Sequence, residues 1–237
     1  VLHFDCLDST NSYAARLAGD PGNEGLVILA DAQTAGRGQH GRQWQCPPGE
    51  GILLSALLFP PTELRRPVLL AAWAAVAVCN VIVRATQREP RIKWPNDVFL
   101  EGRKVCGILI EQGRGTVAGI GLNVNQSAAV FAAAGLPEAG SLASVTRRVF
   151  DVAALARELM HELDATYAQL CDRDLAAVES VWQRRLGLLG QAVVIECRDT
   201  SHRGRLNAVS LERVELQTTD GTLRELQPEC VRHISAL

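Results

Sequence analysis

The sequence predicts an α+β fold, with a large domain of strands and helices over residues 1–186 and a small all-β barrel over residues 187–237. Three observations carry that expectation. Short apolar runs bounded by Gly, Pro, Asn and Asp recur through the first half as strands. One alanine-rich run, residues 68–85, is apolar nearly all round and reads as a helix buried across the sheet. Beyond residues 187–190 the pattern changes from helical spacing to short strands joined by polar turns.

Taken in order, Leu2, His3 and Phe4 open a short strand, and Asp8, Ser9, Thr10 and Asn11 supply N-cap candidates for a helix over residues 12–17. Taken alone they read as plain caps. Four polar residues at a helix N-terminus, with its free backbone N–H groups, also make a polar pocket. After a turn at residues 20–23, a strand over residues 26–30 feeds a glycine-rich stretch, and residues 51–59 form a second apolar strand closed by Pro60 and Pro61. Residues 92–100, IKWPNDVFL, read as one strand interrupted by Pro95. Glu101 and Gly102 then turn a hairpin into residues 103–111, so that Lys93 and Lys104 face each other. In GIGLNVN, residues 119–125, Gly119 and Gly121 share a strand face with Asn123 and leave room for a ligand or a backbone. From Asp151, Val152, Leu155, Leu159 and Leu163 recur at helical spacing, and residues 175–186 continue as a second amphipathic helix. The barrel would be built from residues 193–197, 203–209, 214–218 and 222–225.

Composition sets bounds on function. The chain has 237 residues, 47% of them hydrophobic, enough for one full domain plus a smaller one. Its longest apolar run, residues 68–83, is broken by Asn80 and falls short of a span of ~20 residues, so no membrane role is expected. A net charge of -2 with both signs scattered leaves no basic face for DNA. Seven cysteines without a C-x-x-C pair or a Cys/His cluster argue against a disulfide framework and a metal site. Reduced thiols and no signal-type leader point to the cytoplasm.

The stretch QTAGRGQHGRQW, residues 33–44, spaces Gly36, Gly38 and Gly41 as G-x-G-x-x-G. In a dinucleotide-binding fold that spacing turns a strand into a helix facing pyrophosphate. Here Pro47, Pro48 and Gly49 follow and forbid the helix. What is left is a glycine-rich loop that carries Arg37 and Arg42 as fixed cations and whose backbone can approach an anion closely.

Four strings then stand in order, GRGQHGRQW, KWPND, KVCGILIE and GIGLNVN, preceded by Asp8-Ser9-Thr10-Asn11 and followed by the C-terminal β module. Together they resemble the biotin protein ligases over nearly the whole chain. The resemblance implies a mixed-sheet, class II synthetase-like catalytic domain with a small C-terminal SH3-like β-barrel. It also implies an ATP-dependent ligase that joins biotin and ATP, with Mg2+, into biotinyl-5'-AMP and pyrophosphate. The biotinyl group then passes to one lysine of the biotin carboxyl carrier protein, a subunit of acetyl-CoA carboxylase. No tightly bound cofactor is implied.

Residue by residue, the resemblance implies a biotin pocket of Ser9, Thr10, Asn11 and Gln33, with Gly36, Arg37, Gly38 and Gln39 from the loop and Lys104 and Gly107 from the hairpin. ATP would meet Arg37, Arg42, Trp44, Lys93, Asn96, Asp97 and Asn123, and the catalytic cations would be Lys104, Arg37, Arg42 and Lys93. Attack of a carboxylate on an α-phosphate joins two anions, so such a site needs cations and preorganised donors rather than a covalent nucleophile. Position 39 departs from the family pattern, being Gln where members often carry a second Arg, which implies a weaker hold on the adenylate. No helix-turn-helix precedes these strings, so the repressor role of some members is not expected; a homodimer is left open.

The nearest rival is a lipoate ligase or octanoyl transferase of the same fold, for which Cys106 beside Lys104 offers a thioester nucleophile. The biotin-type loop and the apolar strand around Cys106 favour the biotin ligase. A non-catalytic biotin sensor or carrier-docking module is a second rival, and it would not need four cations.

Overall fold

The computed structural model describes residues 1–172 and 174–237. Strand β1 (Leu2–Leu7) enters α1 (Thr10–Leu17) through Ser9, whose Oγ accepts from the Ser12 amide as the N-cap. β2 (Val27–Gln33) and β3 (Gly51–Leu58) flank the glycine-rich loop. That loop holds a short 3-10 turn at Gln39–Gly41 and no α-helix, as expected from the prolines behind it. Helix α2 (Pro67–Thr86) begins on a proline, whose missing N–H costs nothing at a helix start. β4 (Arg91–Lys93), β5 (Asp97–Leu100), β6 (Arg103–Gln112) and β7 (Thr116–Asn123) follow. Then come α3 (Ala128–Ala133), α4 (Leu142–Thr146), α5 (Val152–Cys171) and α6 (Leu175–Leu186).

The first seven strands form one mixed sheet in the order β1-β2-β3-β7-β6-β5-β4, parallel only between β1 and β2. Period-two alternation sorts its side chains. Ile52, Leu54 and Ala56 of β3, Ile108 of β6, and Ala118, Ile120 and Leu122 of β7 join α2, α5 and α6 in one core. Trp73 ties α2 to α5 by donating to the Leu163 carbonyl at 3.3 Å. The opposite face carries cross-strand rows of another character, Leu53–Gly121–Gly107 and Ser55–Gly119–Leu109. At the β1–β2–β3 end of that face, Ala14 and Ala18 of α1 cover Ile28, Leu57 and Val117.

The KWPND stretch corrects an expectation. Residues 92–100 are two antiparallel strands, β4 and β5, folded about Trp94-Pro95-Asn96. Pro95 has no N–H to give a ladder, so the chain turns there instead of continuing. Lys93 therefore pairs in register with Asp97, and β5 lies between it and Lys104. The two lysines do not face each other across a hairpin.

The C-terminal residues form a second, five-stranded sheet in the order β11-β10-β9-β8-β12. β8 (Ala192–Cys197), β9 (Ser201–Val209), β10 (Val214–Thr218) and β11 (Leu223–Leu226) match the four expected strands. β12 (Val231–Ala236) is a fifth, paired with β8. Its register slips between Val231 and His233, leaving Arg232 as a bulged residue, so the inward Val231 and Ile234 are three apart and the period-two signal is lost. Among the described residues β11 and β12 are the ends of this sheet and do not pair with each other. Trp94 Nε1 donates to the Val231 carbonyl at 3.0 Å, and Arg66 pairs with Glu229 and Glu212, which fastens this sheet to the β4–β5 turn and the start of α2.

Candidate active site

A cleft of about 880 Å³ opens on the glycine-rich face of the large sheet. Fifteen of the sixteen predicted site residues line it; Gly36 does not. Gly36 instead closes the loop. Its carbonyl accepts from the Trp44 amide at 3.0 Å, and a Cβ there would stand 2.3 Å from the Trp44 carbonyl oxygen.

One end of the cleft is a buried polar network. Gln33 Oε1 accepts from both the Thr10 amide and Thr10 Oγ1, at 2.7 and 3.1 Å, so its Nε2 is the atom turned elsewhere, toward Gly36. Ser55 Oγ, wholly buried on β3, lies 2.8 Å from Thr10 Oγ1 and donates to Asn11 Oδ1 at 2.5 Å. Asn11 Nδ2 donates to Glu111 Oε2 at 2.8 Å. Each such bond is worth about 0.5–1.5 kcal/mol net, and leaving a partner unpaired there costs more. Asn11 thus spends its amide inside the protein and Thr10 both its donors, so the Ser9 hydroxyl, a lone pair of Thr10 Oγ1 and Gln33 Nε2 remain to meet a ligand.

The glycine rows have a purpose the sequence only half revealed. The room above Gly119 and Gly121 is taken by side chains, not by backbone. A Cβ on Gly119 would lie 2.0 Å from Asn11 Oδ1, one on Gly121 2.3 Å from Trp44 Cε2, and one on Gly107 2.8 Å from Trp44 Cζ3. The Trp44 indole therefore lies flat on two glycines of adjacent strands and anchors the loop. Its Nε1 is buried with no hydrogen-bond partner among the described residues.

The other end of the cleft is cationic. Lys104 Nζ lies 2.7 Å from Asp97 Oδ2, in a pair about one-quarter exposed. A register slip between β5 and β6 pairs Val98 with Cys106 and Phe99 with Lys104, so Val105 is the extra residue. In a regular strand Lys104 and Gly107, three apart, would point to opposite faces. The bulge turns Val105 and Cys106 both into the core and brings Lys104 alongside Gly107, where a Cβ would meet Lys104 Cε at 3.6 Å. Lys93 extends over the Phe99 ring, 5.4 Å from its centroid.

Asn96 and Asn123 hold the frame. Asn96 Nδ2 donates to the Ile108 carbonyl at 2.6 Å. Asn123 Nδ2 donates to the Gly140 carbonyl at 3.0 Å while its Oδ1 accepts from Gln126 at 3.1 Å. Both line the cleft with their amide nitrogens engaged by backbone carbonyls. Of the loop cations, Arg37 pairs with Glu111, and no ion pair of Arg42 occurs among the described residues.

Cys106 is wholly buried on the core side, and burial pushes its thiol well above the ordinary range. A thiolate there would be costly, and the side chain does not face the cleft.

Four contributors escaped the sequence reading. Ser55 is a lone polar residue in an otherwise apolar strand, a signal that could have been used. Glu111 lies next to the end of β6, on the same side as Gly107, which alternation alone could have indicated. Arg232 and His233 reach the cleft from β12, which no pattern in the sequence connects to it.

The chain matches the model of the biotin/lipoate A/B protein ligase family over residues 3–126. It is 34% identical over 213 residues to a biotin–[acetyl-CoA-carboxylase] ligase of Mycobacterium tuberculosis, covering 84% of this chain and 79% of that one. It is 29% identical over 232 residues to the bifunctional ligase/repressor BirA of Bacillus subtilis, covering 95% of this chain and 71% of the relative. Among solved structures, a biotin protein ligase from Aquifex aeolicus in complex with biotin and ATP superposes with a TM-score of 0.81 at 24% identity, covering 100% of this chain and 98% of that one. With the sheet, the glycine-rich loop and the Lys104 hairpin in place, these matches lead to one conclusion: the chain belongs to the biotin/lipoate A/B protein ligase family.

Proposed function

We propose that this chain is an ATP-dependent biotin protein ligase, acting on the biotin carboxyl carrier protein of acetyl-CoA carboxylase. One observation carries the reading: a single cleft joins a neutral hydrogen-bonding end, a glycine-rich arginine loop and a lysine–aspartate end. The ureido ring of biotin offers one carbonyl acceptor and two N–H donors, which suits Ser9, Thr10 and the free Nε2 of Gln33. The valerate carboxylate then points along the cleft toward Lys104.

In the first step a biotin carboxylate oxygen bonds to the α-phosphorus of ATP and the bond to the β-phosphate oxygen breaks, releasing pyrophosphate. Lys104 and the loop arginines offset the charge of the two anions as they meet. In the second step the carrier lysine, as the free amine, attacks the acyl carbon of biotinyl-AMP, AMP leaves, and the amine gives up a proton. ATP enters as its magnesium complex. Phosphates and water would hold most of that ion's coordination, and Asp97 would be the candidate protein ligand. We read the C-terminal five-stranded sheet as the SH3-like module, with the domain boundary at 186/187, and place the ATP-using enzyme in the cytoplasm.

The octanoyl transferase alternative is disfavoured by Cys106, whose thiol faces the core, and the lipoate ligase by the biotin-type glycine-rich loop. Exchange of labelled pyrophosphate into ATP tests the reading. It should depend on biotin and not on lipoate, and be followed by labelling of a carrier-domain lysine. Lipoate-dependent exchange would sink it.

A further inference from the structure

Glu111 is absent from the cleft wall, yet both halves of the site are fastened to it. Its Oε2 accepts from Asn11 Nδ2 at 2.8 Å and from Arg37 Nη2. Asn11 continues through Ser55 to the Thr10 hydroxyl, and the Thr10 amide donates to Gln33, so hydrogen-bonded residues run from the ring-binding end to the loop arginine. The loop has few other ties to the sheet. Trp44 rests on Gly107 and Gly121, while the Gly38 amide bonds to Arg42 within the loop itself. Among the described residues Arg37 is the one loop side chain paired with an acid on the sheet.

We propose that Glu111 is a positioning residue that couples the two substrates, by holding Asn11 and Arg37 on one carboxylate oxygen so that filling the ring-binding end sets the loop for the nucleotide. A ligand against Thr10 and Gln33 stiffens the hydrogen-bond chain at one end, and the carboxylate transmits that order to Arg37 at the other. By reciprocity the nucleotide tightens biotin by the same factor. The partial exposure of the pair keeps its strength modest, so the coupling attributable to Glu111 is at most about fivefold, about 1 kcal/mol. The idea rests on the proposed function only for the identity of the two ligands; the latch itself is a property of the free protein.

The experiment uses the full chain and the variants Glu111→Gln and Glu111→Ala. The glutamine keeps an oxygen for Asn11 but loses the charge that holds Arg37; the alanine loses both. Calorimetry gives the affinity of a non-hydrolysable ATP analogue with and without saturating biotin, and the ratio is the coupling factor. In Glu111→Gln, biotin affinity should stay within about twofold of the parent while the coupling factor falls by up to about fivefold. Amide exchange at residues 36–45 in the ligand-free protein should rise by a similar factor. Arg37→Ala should lower the coupling to the same extent, with no further loss in the double variant. If Glu111→Gln weakens biotin and the analogue alike and leaves their ratio unchanged, the role is merely structural and the proposal fails. Unchanged loop exchange in both variants overturns it equally, and that readout needs no ligand. A parent that binds no biotin overturns the proposed function and leaves the exchange result to decide the role of Glu111. Should Glu111→Ala fail to fold, Glu111→Gln carries the test alone.

Discussion

The two cation-bearing arms of the cleft are built in opposite ways. The lysine arm is made of strands: Lys104 is aimed by a bulge in β6, its amide donates to the Glu138 carbonyl, and its carbonyl accepts from Gly140. Trp94, beside Lys93, is pinned to the C-terminal sheet through the Val231 carbonyl. The arginine arm is a loop of three glycines whose side-chain ties to the sheet, among the described residues, are one indole and one ion pair. A strand-held cation can sit at a reacting centre with no reorganisation, whereas a loop-held one can open for entry and close on the product at an entropic cost. We propose on this ground that the hairpin serves catalysis and the loop serves retention.

The largest expected effect follows from the rigid arm. Lys104→Ala should lower adenylate formation by roughly 100-fold or more, in line with about 2.7–4 kcal/mol for a preorganised donor, while Cys106→Ala leaves it within a few fold. Single-turnover production of biotinyl-AMP measures both, and inactivity of folded Cys106→Ala would hand the site to acyl-thioester chemistry. Next comes the seat of the loop: Gly121→Ala places a methyl against Trp44 and should cost ~1–3 kcal/mol, read as a lower midpoint of unfolding and faster amide exchange in residues 36–45. An unaltered midpoint and loop would mean that Trp44 is not anchored there.

Smaller effects sharpen the retention half. Gln39 lines the cleft within the loop's 3-10 turn, with a neutral amide where a guanidinium could bind phosphate more strongly. Gln39→Arg should slow escape of preformed biotinyl-AMP by ~10-fold at fixed salt, corresponding to ~1.4 kcal/mol. Equal release rates would separate position 39 from the phosphate. The smallest change is expected at the cleft's far rim, where the bulged Arg232 should contribute a few fold to the KM for ATP and nothing to biotin affinity. A loss of biotin binding in Arg232→Ala would contradict that placement.

The sequence by itself determined the parts whose signals are local. The loop is non-helical because two prolines follow it, α2 is a core helix because it is apolar nearly all round, and a polar cap somewhere in residues 8–11 and the order of the four strings need no tertiary information; that the cap is Ser9, with the helix starting at Thr10 and not at residue 12, came from the structure. These are properties of neighbours in the chain, and neighbours suffice to read them. What only the tertiary structure decided was which residues meet. Lys93 does not face Lys104, because Pro95 folds one expected strand into two. Lys104 shares a face with Gly107 only because Val105 is an extra residue in the ladder, and Arg232 slips out of alternation for the same reason. A bulge inverts every side chain beyond it and leaves no mark in composition. The room above Gly119 and Gly121 was legible as space, but its occupants, Asn11 and Trp44, come from about a hundred and about eighty residues away. Ser55 and Glu111, which bind those segments together, acquire meaning only once long-range pairing has set them across the sheet.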